Sequence, residues 1–185
     1  MQNGFIINIL TDLKVELMDE FDRNFEHKAF FGKPWPASTI PNRRGSLMAR
    51  SGDLRKSIRA QVTPGANTVT FTSSMPYARI QNEGGVIIVT EKMKKYFWAM
   101  YYSLVGKVTY NVKTKTANFN SKTQKLTAEA KYWRSMALKK AGSKVTIRQR
   151  QFIGHHPRVS SIVEQVCDRN FKALATQLKT ILKPH

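Results

Sequence analysis

Apolar residues first recur along the chain at three- and four-residue steps: Ile6, Leu10, Leu13, Leu17, Phe21 and Phe25, with acids between them. That spacing predicts one face of an α-helix over 7–28, roughly 33 Å long at about 1.5 Å per residue. The stripe reads as core, with packing on another subunit as the alternative. Then the pattern breaks. Gly32, Pro34, Pro36, Pro41 and Gly45 punctuate 31–46, which predicts a loop anchored by Trp35. Ser51-Gly52-Asp53-Leu54 opens a short helix, with Ser51 or Asp53 as its cap and Leu54 and Ile58 pointing inward. The turn Pro64-Gly65-Ala66-Asn67, followed by period-two alternation over 68–73, predicts a hairpin with 58–63. A short helix or turn over 75–85, a strand over 86–90 and an aromatic-rich helix over 91–104 follow. Lys, Thr, Asn and Ser dominate 107–125, which has few core formers and reads as a mobile loop or arm. Residues 125–141 read as helical, with Leu126, Ala130, Trp133, Ala137 and Lys140 on one side. Val145-Thr146-Ile147-Arg148 alternates as a strand. A last helix from Pro157 or Ser160 to Lys183 presents Ile162, Val163, Val166, Phe171, Leu174, Leu178, Ile181 and Leu182. This order predicts an α+β fold: a small, mostly antiparallel sheet packed by long N- and C-terminal helices. It is read as a single domain over 1–185, with a basic, mobile insertion at 105–143.

Charge changes the picture more than composition does. The 185 residues are 41% hydrophobic, enough for a core, and no apolar run reaches membrane-spanning length. The apolar start lacks a basic flank and reads as the beginning of a helix, not as a signal peptide. A single cysteine, Cys167, excludes an internal disulfide; it is read as a structural thiol on the last helix. Net charge is +19, with a pI near 10.3, which points to an anionic partner: nucleic acid, acidic protein or anionic lipid. Residues 1–30 hold six acids and three bases, whereas 92–150 hold fifteen bases and one acid, Glu129. An acidic first helix meeting a basic neighbour is one way to use that asymmetry. The candidate contacts to an anionic partner are Lys92, Lys94, Lys95, Lys107, Lys113, Lys115, Lys122, Lys125, Lys131, Arg134, Lys139 and Lys140. Within them, Lys94-Lys95-Tyr96-Phe97-Trp98 and Lys131-Tyr132-Trp133-Arg134 interleave cations with rings, as binders of single strands do. The alternative puts Phe97, Trp98 and Tyr101 in the core and leaves the lysines solvated.

Catalytic constellations find no support. There is no phosphate-binding glycine loop, no G-x-G-x-x-G, no H-E-x-x-H and no G-x-S-x-G. One cysteine defeats zinc spacing, and His155 and His156, as neighbours, diverge into a loop or cap role. The carboxylates outside the first helix (Asp53, Glu83, Glu91, Glu129, Glu164 and Asp168) show no pairing in sequence. No catalytic residue, metal or cofactor is expected, and the chain reads as non-enzymatic.

Two segments carry a resemblance. They are Ser74-Met75-Pro76-Tyr77-Ala78-Arg79-Ile80-Gln81-Asn82-Glu83-Gly84-Gly85 and Val145-Thr146-Ile147-Arg148-Gln149-Arg150-Gln151-Phe152-Ile153-Gly154. Together with Trp35-Pro36 and with Ser51, Gly52, Leu54, Ser57 and Ile58, they resemble the virion-morphogenesis family of Mu-like and P2-like bacteriophages. Related patterns occur in tail-completion proteins. The likeness covers most of 5–90 and 144–182 and leaves 91–142 as a variable insertion. It departs where the family has a histidine before Gln81 and a proline at Gln149. The resemblance implies a non-enzymatic structural role in virion assembly, tail completion or head–tail joining, as an oligomeric ring at the DNA channel. It implies as partners other copies of the chain and tail-tube or connector proteins, with non-specific DNA contact and no membrane. The implied location is the bacterial host cytoplasm during assembly and then the virion. The motif residues Trp35, Gly52, Leu54, Pro76, Tyr77, Ala78, Gly84, Gly85, Arg150, Phe152 and Gly154 are implied mainly as fold determinants. Tyr77 would bury its ring, the glycine pair would adopt positive φ, Phe152 would enter the core and Arg150 would meet an acid or a carbonyl. The competing function is a nucleic-acid-binding module using 92–150.

Overall fold

A computed structural model describes residues 2–38, 48–49, 51–108, 113 and 121–182. The expected loop around Pro41 and Gly45, and most of the polar run over 109–120, lie outside the described residues. Helix α1 spans Gln2–His27 and buries Leu10, Leu13, Leu17, Phe21 and Phe25, as its periodicity requires. Helix α6, Pro157–Ile181, lies antiparallel along it: Arg158 meets Glu20 near one end, and Phe171 meets Phe5 at the other with ring centroids 5.2 Å apart. That register decides what each helix buries. Ile162 and Val166 sit opposite the middle of α1 and are enclosed. Phe171 lies against Phe5 in the first turn of α1, and most apolar residues of α6 from there on are exposed. Phe171, Leu178, Ile181 and Leu182 are 57%, 48%, 76% and 76% exposed, and Ile6 and Ile7 of α1 are open beside them. The inward face expected for the second half of α6 is thus an uncovered apolar stripe.

Between the long helices the strands form three two-stranded antiparallel ribbons, where one small sheet was expected. β1 (Ala29–Phe30) and β2 (Lys33–Pro34) close through Phe31 and Gly32, at φ 47° and 92°, the turn geometry that matches strand twist. Helix α2, Asp53–Ser57, follows, with Gly52 at its N-terminal boundary in the left-handed region. Neither expected cap acts there: the Ser51 hydroxyl donates to the Asp53 carboxylate instead. β3 (Ile58–Thr63) pairs β4 (Thr68–Ser73) from Ile58↔Ser73 to Thr63↔Thr68, as the alternation predicts. Helix α3 is Ala78–Glu83. Then β5 (Gly85–Ile88) pairs β6 (Lys144–Ile147) and closes a long excursion of the chain between them.

That excursion holds α4 (Glu91–Val105) and α5 (Ser121–Ala137), which pack antiparallel on each other. Phe97 faces Trp133, with centroids 5.8 Å apart, and Leu104 clusters with Leu126 and Ala130. The second half of the expected mobile insertion is therefore a helix whose Leu126 and Ala137 are 2% and 1% exposed. Burying each such leucine contributes roughly 1.5–3 kcal/mol. Lys140 lies beyond the end of α5 and is exposed, because the helix stops at Ala137.

The apolar clusters divide the molecule the same way. A body is built on Leu13, Leu17, Phe21, Phe30, Ile162 and Val166, joined through Ile153 to Phe25, Trp35, Leu54, Ile58, Ala78 and Phe152. An arm is built on Val89, Phe97, Met136 and Ala137, joined through Trp133 to Leu104, Leu126 and Ala130. The β5–β6 ribbon is the stem between them.

Candidate functional site

The two segments that carry the resemblance meet in space. Backbone N–H of Arg150 donates to the Gln81 carbonyl at 2.7 Å, and Asn82 Oδ1 accepts from the N–H groups of Phe152 and Ile153 at 2.9 and 3.1 Å. Gly84, at φ 73°, lies so close to the second segment that an added Cβ would stand 2.9 Å from the Gln149 nitrogen. Trp35 Nε1 donates to the Gln151 carbonyl at 2.6 Å. Buried Asn24 donates to the Phe152 carbonyl at 3.2 Å and accepts from Phe31 N–H at 3.0 Å. The Arg150 guanidinium donates to the carbonyls of Pro36 and Ala37 at 3.1 and 3.4 Å. Burial, with Arg148 nearby, pulls Arg150 below its ordinary value. Phe152 fills the centre, 2% exposed against Phe25. His156 then caps α6, its Nδ1 accepting from Arg158 N–H at 3.1 Å while its ring stacks on Phe31.

These polar groups are turned on one another, so the cluster joins loops to helices. Ala78 takes the inward position at the start of α3, and Tyr77, expected to bury its ring, is 42% exposed beside Pro76. Asn24 and Asn82 belong to this cluster although no sequence pattern singled them out. Asn24 had a signal: it falls on the apolar stripe of α1, three residues after Phe21 and seven after Leu17. Asn82 had none, because its partners lie about 70 positions away.

The acids of α1 also have partners, all within the same chain. Glu20 pairs with Arg23 and Arg158, Arg169 with Glu16 and Asp12, and Arg55 with Asp22 and Glu26. Hydrogen bonds to these carboxylates hold Arg55 and Arg169 above their ordinary values. Only Asp19 of the six has no such pair among the described residues. A cleft of about 540 Å³ between α1 and α6 is lined by this same network, Glu16, Glu20, Arg23 and Arg158 among them. Basic partners for the acidic helix are thus already supplied by its own protomer.

The arm is different. Residues 85–147 hold thirteen bases and two acids, against eighteen bases and ten acids in the rest of the chain. Thr90 caps α4 by accepting from Met93 N–H at 3.2 Å, and the helix then turns Phe97 and Leu104 onto α5. Its outward face carries Lys92, Lys95, Tyr96, Ala99 and Tyr102, all exposed. α5 adds Lys131 and Arg134, and Lys107, Lys139 and Lys140 are exposed at the ends of the two helices. Among the described residues none of these cations is in an ion pair. Lys94 is half-buried and sits 3.5 Å from Glu91, which removes it from the open set. Lys113 is exposed, Lys115 lies outside the described residues, and so do the side chains of Lys122 and Lys125. Trp98 and Tyr101 are half-buried and Phe97 is buried, so the aromatic stretch divides between core and surface. Tyr96 and Tyr102 remain 55% and 65% exposed, and Trp98 stacks on Tyr102 at 24°.

Among the described residues no helix is long and apolar enough to cross a membrane. In comparisons with protein-family models, curated proteins and solved structures, nothing matches this chain.

Proposed function

We propose that the chain is a non-enzymatic structural protein of a tailed phage or prophage that acts in tail completion or head–tail joining as a ring-forming subunit. The observation that carries the reading is the exposed apolar stripe of α6, Phe171, Leu178, Ile181 and Leu182, with Ile6 and Ile7 of α1 exposed as well. Contiguous exposed apolar surface of this kind marks a protein contact. It is presented at one end of a body stiffened by the cluster that unites the two resemblance-bearing segments. The resemblance supplies the setting: tail-tube or connector proteins as partners, in the host cytoplasm during assembly and then in the virion.

Light scattering at high protein concentration and low salt tests it. The expected result is mass that grows with concentration and that falls to a monomer in a Phe171→Gln/Leu178→Gln/Ile181→Gln variant. A strict monomer that also ignores tail-tube and connector proteins overturns the reading.

A further inference from the structure

Among the described residues Lys92, Lys95, Lys131 and Arg134 of the arm are in no ion pair, and their chemistry narrows the choice of partner. We infer that the outward face of α4, with the exposed cations of α5, binds single-stranded nucleic acid: Lys92, Lys95, Lys131 and Arg134 on phosphates, Tyr96 and Tyr102 under bases. Three anionic classes compete for such a face. An acidic surface on a second copy is the first, but five of the six α1 carboxylates are already held by arginines of the same chain. An anionic membrane is the second. It needs an apolar face to insert beside the basic one, and the apolar face of α4 is occupied by α5 through Phe97 and Leu104. Polynucleotide is the third and fits both features that remain. Unpaired cations exchange counterions for phosphates. Tyr96 lies within a helical turn of Lys92 and Lys95, Tyr102 lies about two turns beyond Lys95, and both exposed rings offer bases a stacking surface. Lys92 to Tyr102 spans about 15 Å along the helix, enough for several nucleotides in succession. The inference does not depend on ring formation.

The test is fluorescence anisotropy of labelled oligothymidylate with the full chain at two salt concentrations. Lys92→Gln/Lys95→Gln/Lys131→Gln/Arg134→Gln should lower the slope of log affinity against log salt by about 0.7 for each phosphate no longer neutralised, about 3 in sum. Tyr96→Ala/Tyr102→Ala should keep that slope and weaken binding by about fivefold or more. Fluorescence of Trp98, stacked on Tyr102, should be quenched as bases arrive. A control removes the same charge from the body at the exposed residues Lys28, Lys33, Lys172 and Lys179, each changed to Gln. If that control weakens affinity and slope as much as the arm variant does, the binding is bulk charge and the proposed site is wrong. Equal competition by polyglutamate, or equal affinity for a duplex of the same length with no effect of the tyrosine changes, also overturns it. Circular dichroism of each variant verifies the fold.

Discussion

Body and arm are both helical pairs closed by short ribbons, yet they handle charge in opposite ways. Among the described residues the body's ion-paired cations are all arginines, Arg23, Arg55, Arg79, Arg158 and Arg169. A guanidinium is a planar fork that meets carboxylates at fixed geometry, and here it ties α1 to α2 and α6. Twelve of the arm's thirteen bases are lysines, compact and well hydrated charges on flexible stems. The body's ion-paired charge is therefore directed at named partners within the chain. In the arm, Lys92, Lys95, Lys107, Lys131, Arg134, Lys139 and Lys140 are in no ion pair among the described residues. The same sign of charge is thus paired at named positions of one region and unpaired at named positions of the other.

The sharpest way to break this division is to damage each core and ask how far the damage spreads. Phe152→Ala removes the centre of the cluster shared by Phe25, Trp35 and Leu54 and should destabilise the body by about 3–5 kcal/mol. Leu126→Ala leaves a cavity between α4 and α5 and should cost the arm roughly 2–5 kcal/mol. Hydrogen exchange is the measurement. Phe152→Ala should speed exchange in α1 and α6, while Leu126→Ala should speed it in α4 and α5 alone. Equal acceleration everywhere from either change would mean one cooperative core.

Two glycines sharpen the contrast at the backbone. Gly84 lies at φ 73° and ψ −174°, a region open in practice only to glycine, with Gln149 directly against it. Gly84→Ala should cost about 1–3 kcal/mol for the conformation alone and more for displacing the segment at Gln149. Gly142, in the arm, has φ 83° but nothing within 4 Å of an added Cβ. Gly142→Ala should cost only about 1–2 kcal/mol, the ordinary left-handed penalty. Urea denaturation of both variants measures the difference, and equal destabilisation would mean that the close approach at Gly84 adds nothing to the backbone penalty.

Local periodicity made the elements legible. The three- and four-residue spacing of α1, the alternation of β4 and the turn at Pro64 all rest on neighbours in sequence, and each lies where the pattern puts it. What the pattern hid depends on distant partners. One sheet became three ribbons because the partner of β5 lies across the whole arm. The apolar tail of α6 has the same spacing as its buried half, and spacing alone does not tell which half packs on α1. At the candidate site, the basic character of the arm was plain, but the sequence treated its lysines alike. The fold separates Lys94, beside Glu91, from Lys92 and Lys95, which face out. Asn82 joins the two motif segments through hydrogen bonds that no spacing rule anticipates.

Salt should move the two regions in opposite directions, by the smallest amounts of all. The body's ion pairs are partly exposed, so each contributes about 0–1 kcal/mol and weakens as screening grows. The Debye length falls from about 30 Å at 0.01 M to about 3 Å at 1 M. Over that range α1 and α6 should loosen slightly where Arg169 meets Glu16 and Arg158 meets Glu20. The arm holds like charges on adjoining helices with few acids between them, so screening relieves repulsion there and α4 and α5 should tighten. Exchange protection measured at low and high salt should fall by a few tenths of a kcal/mol in the body and rise by a similar amount in the arm. Added oligothymidylate at low salt should reproduce the rise in the arm and leave the body unchanged, because phosphates would then supply the countercharge that salt supplies. A parallel shift in both regions would show that pairing does not separate structural from contact charge in this protein.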